Sequence, residues 1–401
     1  MNKLYYENQY KKDFTAEIIN ILEKDNEFHV ELDKTYFYPE GGGQPSDTGF
    51  IETSKVTYVY EDQGIIYHVV DKKPIKLKKT KCSLDWNRRF DHMQQHLGQH
   101  ILSAAFLELF NVNTIAFHLG SENCTIDLDK PLTDAEIREA ESLANKTILE
   151  NINVEFLFPS KAELKKFHIK KTIPKTNDAI RIVKIDDFDI NPCCGLHPNS
   201  TLEVQIIKIK KYEKHKTGIR LEFLCGNRGI KDSFIIEDFV TKLCRTLKCN
   251  HEEALENITK QSTNIKNLLA ENKELKSIIA DYEVKTMIDN GEKVKDITII
   301  KTIHDTDDFK YVNLLASKLT TFDNVVVLFA VKTSDMAKLL FMCSRNILNL
   351  NMGTLLKDAI TLIDGNGGGS NISAQGGGKN IGNLQSCMDY AFMNIKNTLT
   401  I

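Results

Sequence analysis

Residues 251–287 contain neither proline nor glycine, and that unbroken stretch constrains how the rest of the chain can be laid out. Nothing in it interrupts a helix, so it predicts one long element between a body before it and a body after it. Ile258, Ile265, Asn272 and Ile279 fall at one heptad position, and Leu268, Leu275 and Tyr282 at the other. The pattern predicts a helical arm over 246–289, a short antiparallel or dimeric coiled coil in which Asn272 fixes register at some cost in stability. Gln261 also falls in the seam, so an ordinary amphipathic helix fits equally well. Asn290-Gly291 ends the arm.

The fold class expected is α+β. Over residues 1–88, Phe28–Leu32 alternates, while Val56–Tyr60 and Ile65–Val70 are rich in β-branched and aromatic residues. Gly41-Gly42-Gly43 and Asp47-Thr48-Gly49 punctuate these runs, and together they predict a small β-barrel. Residues 89–245 read as an α+β domain. Leu97, Ile101, Leu102, Ala105 and Leu109 recur at helical spacing within a helix over 87–110. Strands are expected at Asn123–Leu128, Val154–Phe158, Ile180–Ile185 and Leu202–Lys210, with a helix over Thr133–Glu150 opened by a Thr-x-x-Glu capping box. Residues 290–401 predict an α/β domain with a strand at Val325–Val331, a helix near Ser334–Met342 and a glycine-dense segment, Asp364–Gly378.

No apolar run approaches the ~20 residues that span a bilayer, and the N-terminus has no apolar core of signal-peptide type. Nine cysteines without framework-like spacing suit a reducing compartment, so a cytoplasmic location is expected. The net charge of −3 does not mark a nucleic-acid binder. The lysines nevertheless cluster within Lys72–Lys81, Lys161–Lys175 and Lys208–Lys216, and a phosphate backbone responds to local patches. Taken alone, each run reads first as an ordinary solvated face.

His96-Leu97-Gly98-Gln99-His100 sits on the expected helix, where an i, i+4 pair lies on one face with Cβ atoms ~5–6 Å apart. Cys193-Cys194-Gly195-Leu196-His197 is a second i, i+4 pair in a turn. One cysteine and three histidines form a zinc-type donor set, so His96, His100, Cys193 and His197 are the candidate ligands of a Zn2+ ion. Cys194 is the alternative sulfur, disfavoured by spacing. A metalloprotease His-Glu-x-x-His reading fails because Leu97 stands where its base belongs.

Thr35-Tyr36-Phe37-Tyr38-Pro39-Glu40-Gly41-Gly42-Gly43-Gln44-Pro45-Ser46-Asp47-Thr48-Gly49 is similar to a signature of the editing domain shared by alanyl- and threonyl-tRNA synthetases. Phe117-His118-Leu119-Gly120 with Thr125-Ile126-Asp127-Leu128, and Gly218–Phe223 with Cys225-Gly226-Asn227-Arg228, resemble later segments of that domain in its free-standing AlaX form. Gly367-Gly368-Gly369 and Ala374-Gln375-Gly376-Gly377-Gly378 resemble the DHHA1 domain that ends alanyl-tRNA synthetase. Four signatures in one order, over nearly the whole chain, are specific. The family's Cys-Gly-Gly-Thr-His becomes Cys193-Cys194-Gly195-Leu196-His197, which keeps both ligands and loses the threonine. DHHA1 also accompanies RecJ-type phosphoesterases, but Asp91-His92-Met93 only partly echoes their Asp-His-His motif.

The resemblance implies a zinc-dependent hydrolase acting in trans on mischarged tRNA(Ala), Ser-tRNA(Ala) first and Gly-tRNA(Ala) second. The rival expectations are a non-catalytic tRNA-binding protein with structural zinc and an editor of another mischarged tRNA. Gln44 is expected to orient substrate or water or else to brace its turn, Thr35 to read the serine hydroxyl or else to pair across the barrel, and His118 to assist proton transfer or pack behind the zinc. Gly367, Gly368, Gly369, Gly376, Gly377 and Gly378 are expected to bind tRNA through backbone N–H groups. A homodimer through the arm or the C-terminal domain is the other expected partnership.

Overall fold

The computed structural model describes residues 2–24, 26–75, 78–164, 167 and 180–400. They form two compact units, Met1–Leu243 and Cys244–Ile401. Among the described residues no helix is long and apolar enough to cross a membrane, and all nine cysteines are free.

The first unit begins with a seven-stranded antiparallel sheet. Its order is Asp13–Ala16, Thr80–Leu84, Gly49–Ile51, Ser54–Asp62, Ile65–Val70, Glu27–Leu32 and Ile18–Lys24. The expected barrel is not formed. The two edge strands, Asp13–Ala16 and Ile18–Lys24, follow each other through Glu17 and share no hydrogen-bonded register, so the sheet bends without closing. Its apolar face buries Val30, Phe37, Ile51, Val59 and Ile66 together with Met93 and Leu196, which come from outside the sheet.

Helix Trp86–Phe110 follows, capped where the Asp85 carboxylate accepts from the Arg88 N–H and ended at Asn111 in the left-handed region. Its Leu97, Ile101, Leu102 and Phe106 pack against Ile126, Leu221 and Phe223. Those three lie on a four-stranded antiparallel sheet ordered Thr114–Leu119, Cys124–Leu128, Gly218–Cys225 and Ile207–His215. Helix Asp134–Leu149 covers the same core and carries the expected capping box between Thr133 and Glu136. A third antiparallel sheet, Val154–Leu157, Ile182–Ile185 and Asp189–Pro192, leads the chain into the Cys193–His197 turn.

The second unit holds a six-stranded sheet ordered Glu292–Val294, Ile297–Asp305, Val325–Lys332, Ala337–Cys343, Ser373–Gly378 and Gly365–Gly369. Only Ile297–Asp305 and Val325–Lys332 run parallel, joined through helix Phe309–Leu319. The helix expected near Ser334–Met342 is instead the strand Ala337–Cys343. Its run of consecutive apolar residues is buried on both faces, where helical and strand periodicities cannot be told apart.

Helix Ala254–Asp289 is a single long element of 36 residues, starting eight residues later than the predicted arm, and it is no coiled coil. It buries only Ala254, Ala280 and Val284, the last two against helix Phe309–Leu319. Ile258, Ile265, Leu268, Leu275, Ile279 and Tyr282 of the expected seam are 43% to 71% exposed, so no long apolar stripe is packed along it.

Candidate metal centre

Helix Trp86–Phe110 carries His96 and His100 on successive turns of one face, and both imidazoles are buried. The turn after Asp189–Pro192 brings Cys193 and His197 to the same place. One ligand atom from each of His96, His100, Cys193 and His197 lies within 4.8 Å of all the others. The Cys193 Sγ is 3.4 Å from His96 Nε2 and 3.6 Å from His197 Nε2. A tetrahedral zinc with ordinary bond lengths sets such donor–donor edges at about 3.3–3.6 Å, so the four residues fit that ion.

The outer ring nitrogens are held so that the inner ones face the centre. Gln44 Oε1 accepts from the Leu196 N–H at 2.9 Å, which identifies it as the oxygen, and lies 3.0 Å from His96 Nδ1. His96 therefore carries its proton on Nδ1 and offers the Nε2 lone pair. His100 Nδ1 is 2.8 Å from Asp189 Oδ2, the carboxylate–histidine arrangement usual behind a bound metal. Burial opposes charge on the His100 ring, but the Asp189 hydrogen bond and Cys193 outweigh it and push its pKa up to about 9. Burial likewise opposes a thiolate at Cys193, yet His96, His197 and His100 hold that thiol well below its ordinary pKa. Cys194 points elsewhere, its Sγ packed against Gly42.

The loop between the two downstream ligands is pinned from far away in sequence. Arg181 Nη1 donates to the carbonyls of Cys193 at 2.9 Å and Gly195 at 2.8 Å. Its guanidinium lies over the rings of Tyr6 and Phe156. The Tyr6 hydroxyl donates to the Cys194 carbonyl at 2.8 Å, and the Tyr38 hydroxyl shares its proton between the Gly41 and Cys194 carbonyls at 3.0 and 3.2 Å. Gln9 Nε2 donates to the His197 carbonyl and to Asn199 Oδ1, and the Tyr10 hydroxyl donates to Glu203. Leu196, where the family threonine is missing, is buried in the core of the N-terminal sheet. Sequence reading missed Arg181, Asp189, Tyr6 and Gln9. None belongs to a spaced motif, and folding alone brings them to the turn.

Gly41 and Gln44 exchange backbone hydrogen bonds across Gly42 and Gly43, whose φ of 58° and 78° few other residues adopt. That tight turn delivers Gln44 to His96. The buried ion pair between Arg89 and Asp47 fixes the turn to the histidine helix: Arg89 Nε is 2.9 Å from Asp47 Oδ1, and Arg89 Nη1 donates to the Gln9 carbonyl. Both side chains are fully buried.

Among the described residues, the other expected site residues make no hydrogen bond to the four ligands. Thr35 is buried, its hydroxyl 2.9 Å from His68 Nε2 and accepting from the Phe37 N–H. His118 is exposed; on its strand the neighbouring Phe117 faces His96, with ring centroids 5.4 Å apart, and alternation turns His118 to the other side. The six glycines of the C-terminal segment are not loops but the paired strands Gly365–Gly369 and Ser373–Gly378 at the sheet edge. Helix Met352–Ile360 closes over one face of them, since a Cβ on Gly376 would lie 2.3 Å from Ile360 Cδ1. Of the lysine runs, Lys208, Lys210 and Lys211 are committed to ion pairs with Glu141, Asp232 and Glu222. Lys76 and most of the Lys161–Lys175 run lie outside the described residues.

His68 supports a prediction on acid stability. Burial pushes its pKa down to about 4, with a hydrogen bond to the Val30 carbonyl opposing. An unfolded chain protonates this histidine near pH 6.5, so between the two values the unfolded state binds more protons and stability falls as pH drops. The loss due to His68 by pH 4.5 is about 2–3 kcal/mol. Urea midpoints at pH 7 and 4.5 should therefore converge in His68→Gln; an unchanged pH slope rejects the assignment.

Comparison with known proteins agrees with this geometry. The family model described as Threonyl and Alanyl tRNA synthetase second additional domain matches residues 180–222, which include the Cys193–His197 turn. The one described as tRNA synthetases class II (A) matches residues 3–88, which include the Gly41–Gln44 turn. The alanyl-tRNA editing protein AlaX-L of Pyrococcus horikoshii is 31% identical over 389 residues, covering 94% of each chain. The alanyl-tRNA editing protein Aarsd1-B of Xenopus laevis is 33% identical over 311 residues, 75% of this chain and 73% of its own. An alanine–tRNA ligase of Methanobrevibacter smithii is 27% identical over 97% of this chain but only 45% of the ligase. Identity sustained over almost the full length of both chains, on a fold that gathers the two spaced pairs into one buried cluster, places this protein in the AlaX-type family of alanyl-tRNA editing hydrolases.

Proposed function

We propose that the chain hydrolyses the aminoacyl ester of mischarged tRNA(Ala) at a zinc-bearing centre, with Ser-tRNA(Ala) as first target and Gly-tRNA(Ala) second. The observation carrying this reading is the convergence of three imidazoles and one thiol beside the Gly41–Gln44 turn. His96, His100, Cys193 and His197 hold the ion. Bound zinc would supply a fixed positive charge that favours the negative charge developing on the ester. Four protein donors fill a tetrahedron, so water placement and stabilisation of the carbonyl oxygen fall to the chain's own groups. Gln44 is one of them: its Oε1 is occupied, and its Nε2 is buried without a partner. The Gly365–Gly378 hairpin, bare backbone along much of a sheet edge, is the proposed contact for the tRNA backbone.

Discrimination of serine from alanine requires a polar group that alanine leaves unpaired, a device that separates substrates by up to ~10⁴–10⁵. Thr35 is our candidate. His68 Nδ1 donates to the Val30 carbonyl, so its Nε2 accepts the Thr35 hydroxyl proton, and one Thr35 lone pair stays open beyond the Phe37 N–H. Side-by-side hydrolysis of Ser-, Gly- and Ala-charged tRNA(Ala) tests both points. Serine release should be fastest and alanine spared, and Thr35→Val should narrow the serine-to-alanine ratio without changing metal content. No hydrolysis of any of the three would leave a tRNA-binding protein or an editor of another tRNA.

A further inference from the structure

Three successive carbonyls from the ligand Cys193 towards His197 are held by hydrogen bonds: Cys193 and Gly195 by Arg181, and Cys194 by the hydroxyls of Tyr6 and Tyr38. In a trans peptide the N–H points opposite to the carbonyl of its own plane. Pinning the carbonyls therefore aims the following N–H groups to the other side. The Leu196 N–H follows this rule and donates to Gln44 Oε1, beside His96. The Gly195 N–H finds no acceptor among the described residues, although Gly195 is buried. An unpaired buried backbone N–H is rare and costs about as much as a lost hydrogen bond, so it calls for a partner from outside the chain.

Two glycines keep side-chain atoms away from this N–H. A Cβ on Gly195 would stand 2.1 Å from His96 Cε1, so the residue lies directly against a ligand imidazole. A Cβ on Gly42 would stand 3.6 Å from the Gly195 nitrogen, and bare backbone faces it there instead.

Resting on the function proposed above, we infer that the Gly195 N–H is the oxyanion donor of the site, with Arg181, Tyr6 and Tyr38 as positioning residues that aim it. Water adds to the ester carbon, forming a new C–O bond while the carbonyl π pair moves onto oxygen. That oxygen takes the Gly195 hydrogen bond. Collapse re-forms the carbonyl and breaks the bond to the ribose oxygen, which gains the proton that water lost. The products are the free amino acid and a free tRNA hydroxyl. A donor aimed where charge develops stabilises the transition state more than the substrate, so its loss lowers kcat and not affinity.

The test replaces the Gly195 amide by a backbone ester, Gly195→glycolate, by nonsense suppression in the full chain. The expected result is a kcat lower by about 10²–10³ on Ser-tRNA(Ala), with KM and bound metal unchanged. A kcat within threefold of the parent overturns the inference. An unmodified chain that hydrolyses no aminoacyl-tRNA overturns the functional reading instead. Should the ester variant misfold, the unmodified chain answers the question by NMR. Labelling cysteine carbonyl carbon and glycine nitrogen selects only Cys194-Gly195 and Cys225-Gly226. A tetrahedral phosphonate analogue of the seryl ester on adenosine should shift the Gly195 amide proton downfield, and a planar amide analogue should not. A Gly195 signal unmoved by bound phosphonate sinks the idea. Arg181→Gln should lower the phosphonate-to-amide affinity ratio along with kcat; a ratio equal to the parent's removes Arg181 from the role.

Discussion

Replacing Cys193 and His197 together by alanine should reduce bound zinc from about one ion per chain to background and abolish deacylation. The two substitutions remove the sole thiolate and one of three imidazoles from a set whose atoms lie within 4.8 Å of one another. Structural zinc sites bind with apparent free energies of about 10–16 kcal/mol, so losing half the donors leaves no site able to compete with a mild chelator. The unliganded histidines then sit buried with nothing between them, and thermal stability of the Met1–Leu243 unit should fall as well. Cys194→Ser is the control, because the Cys194 Sγ faces Gly42 and not the cluster. Elemental analysis of both variants decides: stoichiometric zinc in the double variant, or lost zinc in Cys194→Ser, refutes the ligand assignment.

The second large effect lies away from the metal. Asp47→Ala strands the Arg89 guanidinium, fully buried, without its carboxylate, and removes the acceptor of the Tyr38 N–H. Breaking a buried pair from one side costs about 3–5 kcal/mol. For a unit of this size that corresponds to a fall in Tm of roughly 10 °C. Removing both charges, as in Asp47→Leu with Arg89→Met, should cost less than either single change, since no buried charge is then left uncompensated. Calorimetry of the three variants measures this, and a double variant less stable than both singles contradicts it. The loss should reach the metal centre too, because this pair ties the Gln44 turn to the helix that carries His96.

What could be read in advance followed the range of the interactions involved. His96 with His100, and Cys193 with His197, are local pairs, so spacing alone shows them. Arg181 and Asp189 act on those ligands through folding, and nothing in their sequence neighbourhood distinguishes them. Strand content at the N-terminus was legible, but closure depends on whether the two edges share a register, and here Glu17 joins them covalently instead. The seam of the long helix was legible as a pattern, but its burial was not. Phe117-His118 shows the limit of a motif, since which residue faces inward depends on the pleat. The glycines at 365–378 carry no strand signal because glycine weakens strands, yet packing beneath helix Met352–Ile360 requires strands without side chains.

The contacts of Tyr6, Gln9 and Tyr10 with Cys194–Glu203 also bear on how the protein is made. A ribosome releases Tyr6, Gln9 and Tyr10 long before the last ligand, and the histidine pair emerges with neither sulfur nor third imidazole to complete it. Contacts nearly two hundred residues apart form late, because the intervening loop must first be closed. The nascent chain should thus pass through a stage in which its first sheet and its histidine helix exist but its four-residue candidate metal centre does not. Synthesis interrupted anywhere before Glu203 should yield fragments that bind no metal tightly and edit nothing.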